Sequence, residues 1–416
     1  MTENWMNFWL GIFFMIFGCV LIALPHHVYA LIMDLCMLYC FINFVYLLYK
    51  IFRKRKWTDV ILAILTLGFF IVLNNHANFP EWMIRVSFGA YCLLSSLATF
   101  VQFIINVRYK ISHFFLGVYF ISYLLLGLLL LFVPHFETDL LMRFFGIYFI
   151  ILGVRYIHDW YDMTNADVKY RWTRNFRLML PPQICVLLPE WAVHFINKQL
   201  EEGKPYELSD ENDEEVLLKV LVGVGPTGFQ KVGHIAFSYK DIVFSYGNHD
   251  RSTWRWSQTL GDGVYFNVPV DVYIKSMVVE ENNSIFEYGI RITAEQKQEI
   301  EKTLMNLSHR SKRWYCPIEK ENGYDHYEDY KENYPSRLHY STGAKFYKIQ
   351  SGKFRVYWAL GDNCATFTDL VLRTLGGSIL SIRGITSPGT YFEYLEKEYA
   401  KEYSPIVYRK VHLRNS

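Results

Sequence analysis

Gly233-His234-Ile235-Ala236-Phe237-Ser238-Tyr239, then Lys240-Asp241, then Ile242-Val243-Phe244-Ser245-Tyr246-Gly247-Asn248-His249 is the stretch that decides how the second half of this 416-residue chain is read. β-Branched and aromatic residues on either side of a polar dipeptide predict a hairpin with a two-residue turn. That turn sets His234, at the head of the first strand, opposite Gly247. Further strands are expected over 216–224, 264–268, 286–292 and 354–360.

Downstream, Asp362-Asn363-Cys364 opens a helix whose Phe367, Leu370, Val371 and Leu375 share one face before Gly376-Gly377 stops it. A second helix begins at Thr293-Ala294-Glu295-Gln296, where threonine caps and Gln296 reaches back. Strands and helices together predict a small α+β domain over 216–416. Cys364 falls in a first helical turn, where unpaired amides and the helix dipole favour a thiolate and are expected to lower the thiol pKa. The competing reading is a buried structural cysteine, the commonest fate of a free one.

Gly-His opening a strand and Asn363-Cys364-Ala365-Thr366-Phe367 opening a later helix resemble the circularly permuted papain-like group, which includes NlpC-type hydrolase relatives and the lecithin:retinol acyltransferase family. Ser387-Pro388-Gly389-Thr390 is a further echo. The resemblance implies a permuted papain-like domain with Cys364 as nucleophile and His234 as base. It also implies a third residue on the strand paired with the histidine strand, where Ser245, Asn248 and His249 lie in reach and His249 or Asn248 is preferred. His249, His309, His326 and His339 are rival bases and Cys316 is the rival nucleophile.

Toward the amino terminus the composition changes. Six apolar stretches, 5–24, 28–51, 57–73, 82–107, 114–133 and 140–157, each approach the ~20 residues that cross a bilayer. This predicts an all-α six-helix transmembrane bundle over 1–177. The breaks at Pro25, Pro80 and Pro134 recur at a near-constant interval, as do the basic clusters 53–56 and 108–110, pointing to three related hairpins. With glycine-led openings such as Gly11-Ile12-Phe13 and Gly117-Val118-Tyr119, this pattern resembles the HdeD-like six-span bacterial membrane proteins over roughly residues 5–200. Lys and Arg follow the even-numbered spans, so both termini are expected on the cytoplasmic side of a bacterial inner membrane. Asp34 is an acid well within a span and a candidate functional group, against the plainer reading of a protonated or helix-bonded carboxyl. Residues 178–198, broken by Pro181, Pro182 and Pro189, are expected to lie at the interface with Trp191 at headgroup depth, and 201–215 to form an acidic linker.

A formal net charge of +2 gives no field for nucleic acid, and the seven scattered cysteines have neither disulfide-framework nor zinc spacing. No cofactor or metal is expected. The partners expected are the lipid bilayer and an acyl or peptide substrate, with self-association through the membrane part. A membrane-anchored thiol hydrolase or acyltransferase is the leading reading. Its rivals are a cell-wall amidase or endopeptidase, if the domain faces outward, and a non-enzymatic membrane stress or sensor protein.

Overall fold

Among the described residues the apolar half folds into six helices: α1 (Thr2–Ala23), α2 (Pro25–Lys54), α3 (Trp57–Asn75), α4 (Phe79–Arg108), α5 (Phe114–Phe132) and α6 (Thr138–Thr164). The computed structural model describes residues 2–54, 57–75, 79–132, 138–164, 216–225, 233–375, 388–399 and 404–414. The interfacial segment 178–198 with Trp191, the linker 201–215, Cys185, Gly376-Gly377 and Ser387 lie outside them. Among the described residues four helical stretches are long and apolar enough to cross a membrane: Pro25–Arg53, Trp57–Asn74, Arg85–Arg108 and Phe114–Phe132. Phe8–Ala23 within α1 is a shorter apolar stretch. Helix α6 carries Asp139, Arg143, Arg155, Asp159 and Asp162 along its length.

Two compact units divide the chain, one of residues 1–96 with 121–164 and the other of 97–120 with 165–416, so α4 and α5 contribute to both. In the first unit α1 and α6 meet along glycines. A Cβ on Gly18 would lie 2.5 Å from the Gly146 carbonyl oxygen, and one on Gly11 would lie 2.9 Å from that of Gly153. Only glycine permits this approach, the small-residue packing that membrane helices use in place of a hydrophobic drive. Asp34 stands on an exposed face of α2 and bonds to no other helix among the described residues. The buried acid of this unit is instead Asp59, 2.7 Å from Lys50 Nζ.

The second unit is built on an eight-stranded antiparallel sheet. Its strands are β1 (Leu218–Val224), β2 (His234–Tyr239), β3 (Ile242–Gly247), β5 (Val264–Pro269), β6 (Ser284–Ile290), β7 (Ser311–Trp314), β8 (Lys345–Ile349) and β10 (Ile406–His412). Their order is β10-β6-β1-β2-β3-β5-β8-β7. A separate ribbon pairs β4 (Leu260–Asp262) with β9 (Val356–Trp358), so the strand expected over 354–360 is shorter and leaves the main sheet. Phe354, with φ of 71°, makes the bend that takes it away.

Alternation along the strands loads both faces with apolar side chains, and each face is covered by helices. Helices α7 (Val270–Val279), α9 (Pro317–Lys320) and α10 (Tyr334–Thr342) cover Leu221, Ala236, Val243 and Phe266. On the opposite face, α8 (Ala294–His309), α11 (Cys364–Leu372) and α12 (Pro388–Tyr399) cover Val222, Ile235, Phe237 and Phe286. The reciprocal cap expected at the start of α8 is present, with Thr293 N–H donating to Gln296 Oε1 at 2.8 Å and Gln296 N–H to Thr293 Oγ1 at 3.3 Å.

Candidate active site

The hairpin that carries the histidine is closed at one end and open at the other. Lys240 and Asp241 have φ of 49° and 58°, the left-handed pair of a tight two-residue hairpin turn. From that turn β2 and β3 pair at Tyr239↔Ile242, Ser238↔Val243 and Phe237↔Phe244, and the ladder then stops. Each strand stays paired on its outer side, β2 with β1 as far as Gly223↔His234 and β3 with β5 as far as Gly247↔Val264. The hairpin is therefore forked at the His234 end. Because the turn makes Tyr239↔Ile242 a hydrogen-bonded pair, the amides of Tyr239, Phe237 and Ile235 all point toward β3. The Ile235 N–H, inside the fork, has no strand partner.

Helix α11 brings Cys364 to that place. The sulfur faces the Ile235 N–H and the amides of Cys364 and Ala365, three donors that favour its anion. The helix start is fixed by Asn363, whose Oδ1 accepts from Ala365 N–H at 3.0 Å and Thr366 N–H at 3.1 Å. The Thr366 hydroxyl returns to accept from Asn363 N–H at 2.8 Å, and Asn363 Nδ2 donates to the Ala359 carbonyl at 2.9 Å. The Asn363 side chain and the Ala365 and Thr366 amides are tied, so the start of the turn that carries the sulfur is fixed by the backbone that precedes it.

His234 projects on the Ala236 side of β2, and its Nε2 lies 2.7 Å from Ser245 Oγ across the fork. Tyr273 of α7 stands against the same Ser245 hydroxyl. With Nε2 engaged, Nδ1 is the ring nitrogen that remains for proton exchange. No interaction between Cys364 and His234 is present among the described residues. The sulfur meets β2 at the Ile235 N–H from the Ile235/Phe237 face, whereas the His234 ring lies with Ser245 on the Ala236/Val243 face.

Burial decides the resting charge state. Cys364 is only 6% exposed, and burial pushes its thiol up to about 11 against the smaller opposing pull of the surrounding N–H groups. The lowered thiol pKa expected from the helix start is thus not found, because removing the thiolate from water costs more than the amides return. Burial also lowers the His234 imidazole to about 4. At rest the thiol and the half-buried imidazole are therefore both neutral. Tyr246 and Tyr357 complete the surroundings, and burial raises both phenols, with the nearby Cys364 adding to the effect.

Of the three residues considered as the histidine's orienting partner, the structure brings Ser245 to the ring. Asn248 instead braces the following loop, its Nδ2 donating to the Gln258 carbonyl and its own carbonyl accepting from Trp254 Nε1 at 2.6 Å. His249 stacks on Tyr334 with centroids 5.6 Å apart and sits between Phe266 and Phe346. Its Nε2 has no partner among the described residues, and burial, then the nearby His234, lower its pKa to about 3. The preference for His249 or Asn248 is therefore not what the structure shows. The reason is local: the chain leaves β3 after Gly247, so Asn248 turns to the 254–258 loop and the His249 ring to Tyr334, Phe266 and Phe346, near His234 but not bonded to it.

The rival groups separate from this place. His309 and His326 are exposed. Cys316, Glu319 and His339 form their own cluster, with donor atoms within 4.8 Å of one another, the one set among the described residues with the chemistry to hold a metal ion. Its members are already engaged. Arg313 grips both Glu319 oxygens at 2.5 and 2.7 Å, and His339 bonds Tyr324 Oη at 2.9 Å and the Ala344 carbonyl at 2.8 Å. The fully buried Cys316 thiol is pushed up to about 11 by burial.

Sequence reading missed Tyr273, which lies on a helix not expected over 270–279, and Gln102, which bonds Asp362 from 260 residues away. Neither carries a local signal. Comparison of the chain with protein-family models, with curated proteins and with solved structures finds no match.

Proposed function

We propose that the second unit is a thiol acyl-transfer site of the permuted papain-like kind, with Cys364 as nucleophile, His234 as base and Ser245 orienting the imidazole. The observation that carries this reading is the forked hairpin, in which the Cys364 sulfur faces the N–H of Ile235, the residue that follows a histidine whose Nε2 lies 2.7 Å from Ser245 Oγ. In the reaction His234 Nδ1 takes the thiol proton as the sulfur attacks an acyl carbonyl. The proton then passes to the departing amine or alkoxide as the thioester forms. Water as acceptor completes hydrolysis, and a second amine or alcohol completes transfer. The amides of Ile235 and Cys364 are the donors for the tetrahedral oxyanion.

On the apolar stretches and the basic clusters that follow alternate ones, we read the amino-terminal helices as an HdeD-like six-span anchor with both termini on the cytoplasmic side, four of whose helices are long and apolar enough to cross a membrane. This arrangement directs the site to lipid-linked or cytoplasmic acyl groups and away from the cell wall. A reporter fused after Ser416 tests the orientation, and an external signal supports the wall-amidase reading instead. A thiol-directed acyl probe tests the chemistry: labelling is lost in Cys364→Ala and retained in Cys316→Ala. A non-enzymatic sensor is the second reading, favoured by the burial that keeps the Cys364 thiol protonated. It predicts Cys364 labelling no faster than that of an ordinary thiol.

A further inference from the structure

The segment just before the nucleophile is held from outside the sheet. Gln102, in the last turns of α4, is 6% exposed and makes a two-point contact with Asp362. Its Oε1 accepts from Asp362 N–H at 3.1 Å, and its Nε2 donates to Asp362 Oδ2 at 2.9 Å. The same Nε2 reaches Asn106 Oδ1 at 2.9 Å, and Asn106 Nδ2 donates to the Ser112 carbonyl at 3.0 Å. One helical turn earlier, the Ala98 carbonyl accepts from Trp358 Nε1 at 3.2 Å. Ala98, Val101 and Ile105 pack on Trp358 and Leu260, and the Arg355 guanidinium lies 4.4 Å over the Tyr109 ring.

These contacts have a direction. Apart from Leu260, the partners opposite α4 lie within residues 355–362, and Asp362, whose Oδ1 is also 3.7 Å from Lys353 Nζ, is followed at once by Asn363, the cap on which the Cys364 turn depends. A primary amide suits this position because it offers an acceptor and a donor side by side, matching a backbone N–H and a carboxylate on one residue. A buried polar network of this kind is costly unless fully satisfied, and when satisfied it fixes one geometry.

We propose that Gln102 is a positioning residue for Cys364, holding the 358–363 loop so that the sulfur stays at the mouth of the fork. The last turns of α4 thereby become part of the active-site support. The proposal rests on the acyl-transfer reading for its catalytic consequence, whereas the placement of the sulfur stands apart from that reading.

The full-length protein in detergent or nanodiscs is compared as wild type, Gln102→Glu and Gln102→Glu/Asp362→Asn. The single change sets two carboxylates together. The double change restores the two hydrogen bonds to residue 362, because a glutamate accepts from both the residue 362 N–H and an asparagine amide, and gives up only the bond to Asn106 Oδ1. Two rates are followed across pH: alkylation of Cys364 by iodoacetamide, located by peptide mass, and acylation by the thiol-directed acyl probe. The single variant is expected to move the alkylation midpoint by about one pH unit through the added charge and to slow acylation at least about tenfold. The double variant is expected to return both values to within about threefold of wild type.

An unchanged midpoint and acylation rate in the single variant overturns the proposal. So does a double variant that melts like wild type without recovering either rate. If the midpoint shifts and recovers while no protein in the series acylates, the positioning role stands and the acyl-transfer reading fails.

Discussion

His234 Nε2 lies 2.7 Å from Ser245 Oγ at the point where β2 and β3 have ceased to pair. The two residues bridge a fork that the backbone leaves open, and the Cys364 sulfur occupies the same fork from the α11 side. This arrangement makes Ser245, and not its more polar neighbours, the residue that sets the imidazole.

Ser245→Ala removes the only hydrogen bond that the His234 ring makes among the described residues. Loss of orientation alone is expected to slow acylation of Cys364 at least about tenfold with KM little changed. Single-turnover labelling at saturating probe measures this, and an unaltered rate would remove Ser245 from the site.

His249 carries a ring nitrogen without a partner among the described residues, in an aromatic setting. His249→Phe removes that desolvated group, worth on the order of 1 kcal/mol, and is expected to leave the protein as stable or more so, with acylation intact. Denaturant unfolding and probe labelling check the two halves. A large loss of acylation with the fold preserved would return His249 to the mechanism.

Acid should destabilise the second unit through its half-buried imidazoles. His234 titrates at about 4 when folded, against an ordinary value of 6.5, so the unfolded chain binds the proton first as pH falls. Stability from this group is full above about pH 6.5 and is lost progressively between there and pH 4. The 2.5-unit difference corresponds to about 3 kcal/mol. Melting temperature against pH reads it, and His234→Gln is expected to flatten the curve over that window.

Without substrate the Cys364 thiol is protonated at neutral pH. Its alkylation by a small neutral reagent is expected to rise with pH toward a midpoint of about 11, as burial dictates. A midpoint near 7 would mean that the sulfur is already an ion-pair partner of the imidazole in the resting protein.

Asn363→Ala unties the first turn of α11. The capping loss costs about 1 kcal/mol, and because the sulfur follows directly, acylation is expected to fall by more than that stability loss explains. A fall matching the stability loss alone would make the cap purely structural.

The hairpin, its turn and the helix beginning at Cys364 were legible because each is local: alternating β-branched and aromatic residues, a polar dipeptide, an Asn cap. The apolar stretches gave the amino-terminal helices for the same reason. Partners distant in the chain were not legible. Tyr273 and Gln102 are ordinary residues until the fold sets them beside Ser245 and Asp362. The thiol pKa is not legible in sequence, because the helix-start effect is visible there whereas the burial that outweighs it arises only from packing. Nor is Ser245 distinguishable from His249, because the strand end at Gly247 is set by pairing with β5.

The central claim is that one sulfur of this chain, activated by one histidine, takes up an acyl group. Reacting the full-length protein with an activated acyl ester and mapping the adduct by peptide mass spectrometry tests it most directly. The account predicts a single thioester on Cys364 that is absent from His234→Ala. Modification spread evenly over the cysteines, or an adduct at Cys364 that forms equally fast without His234, would contradict it.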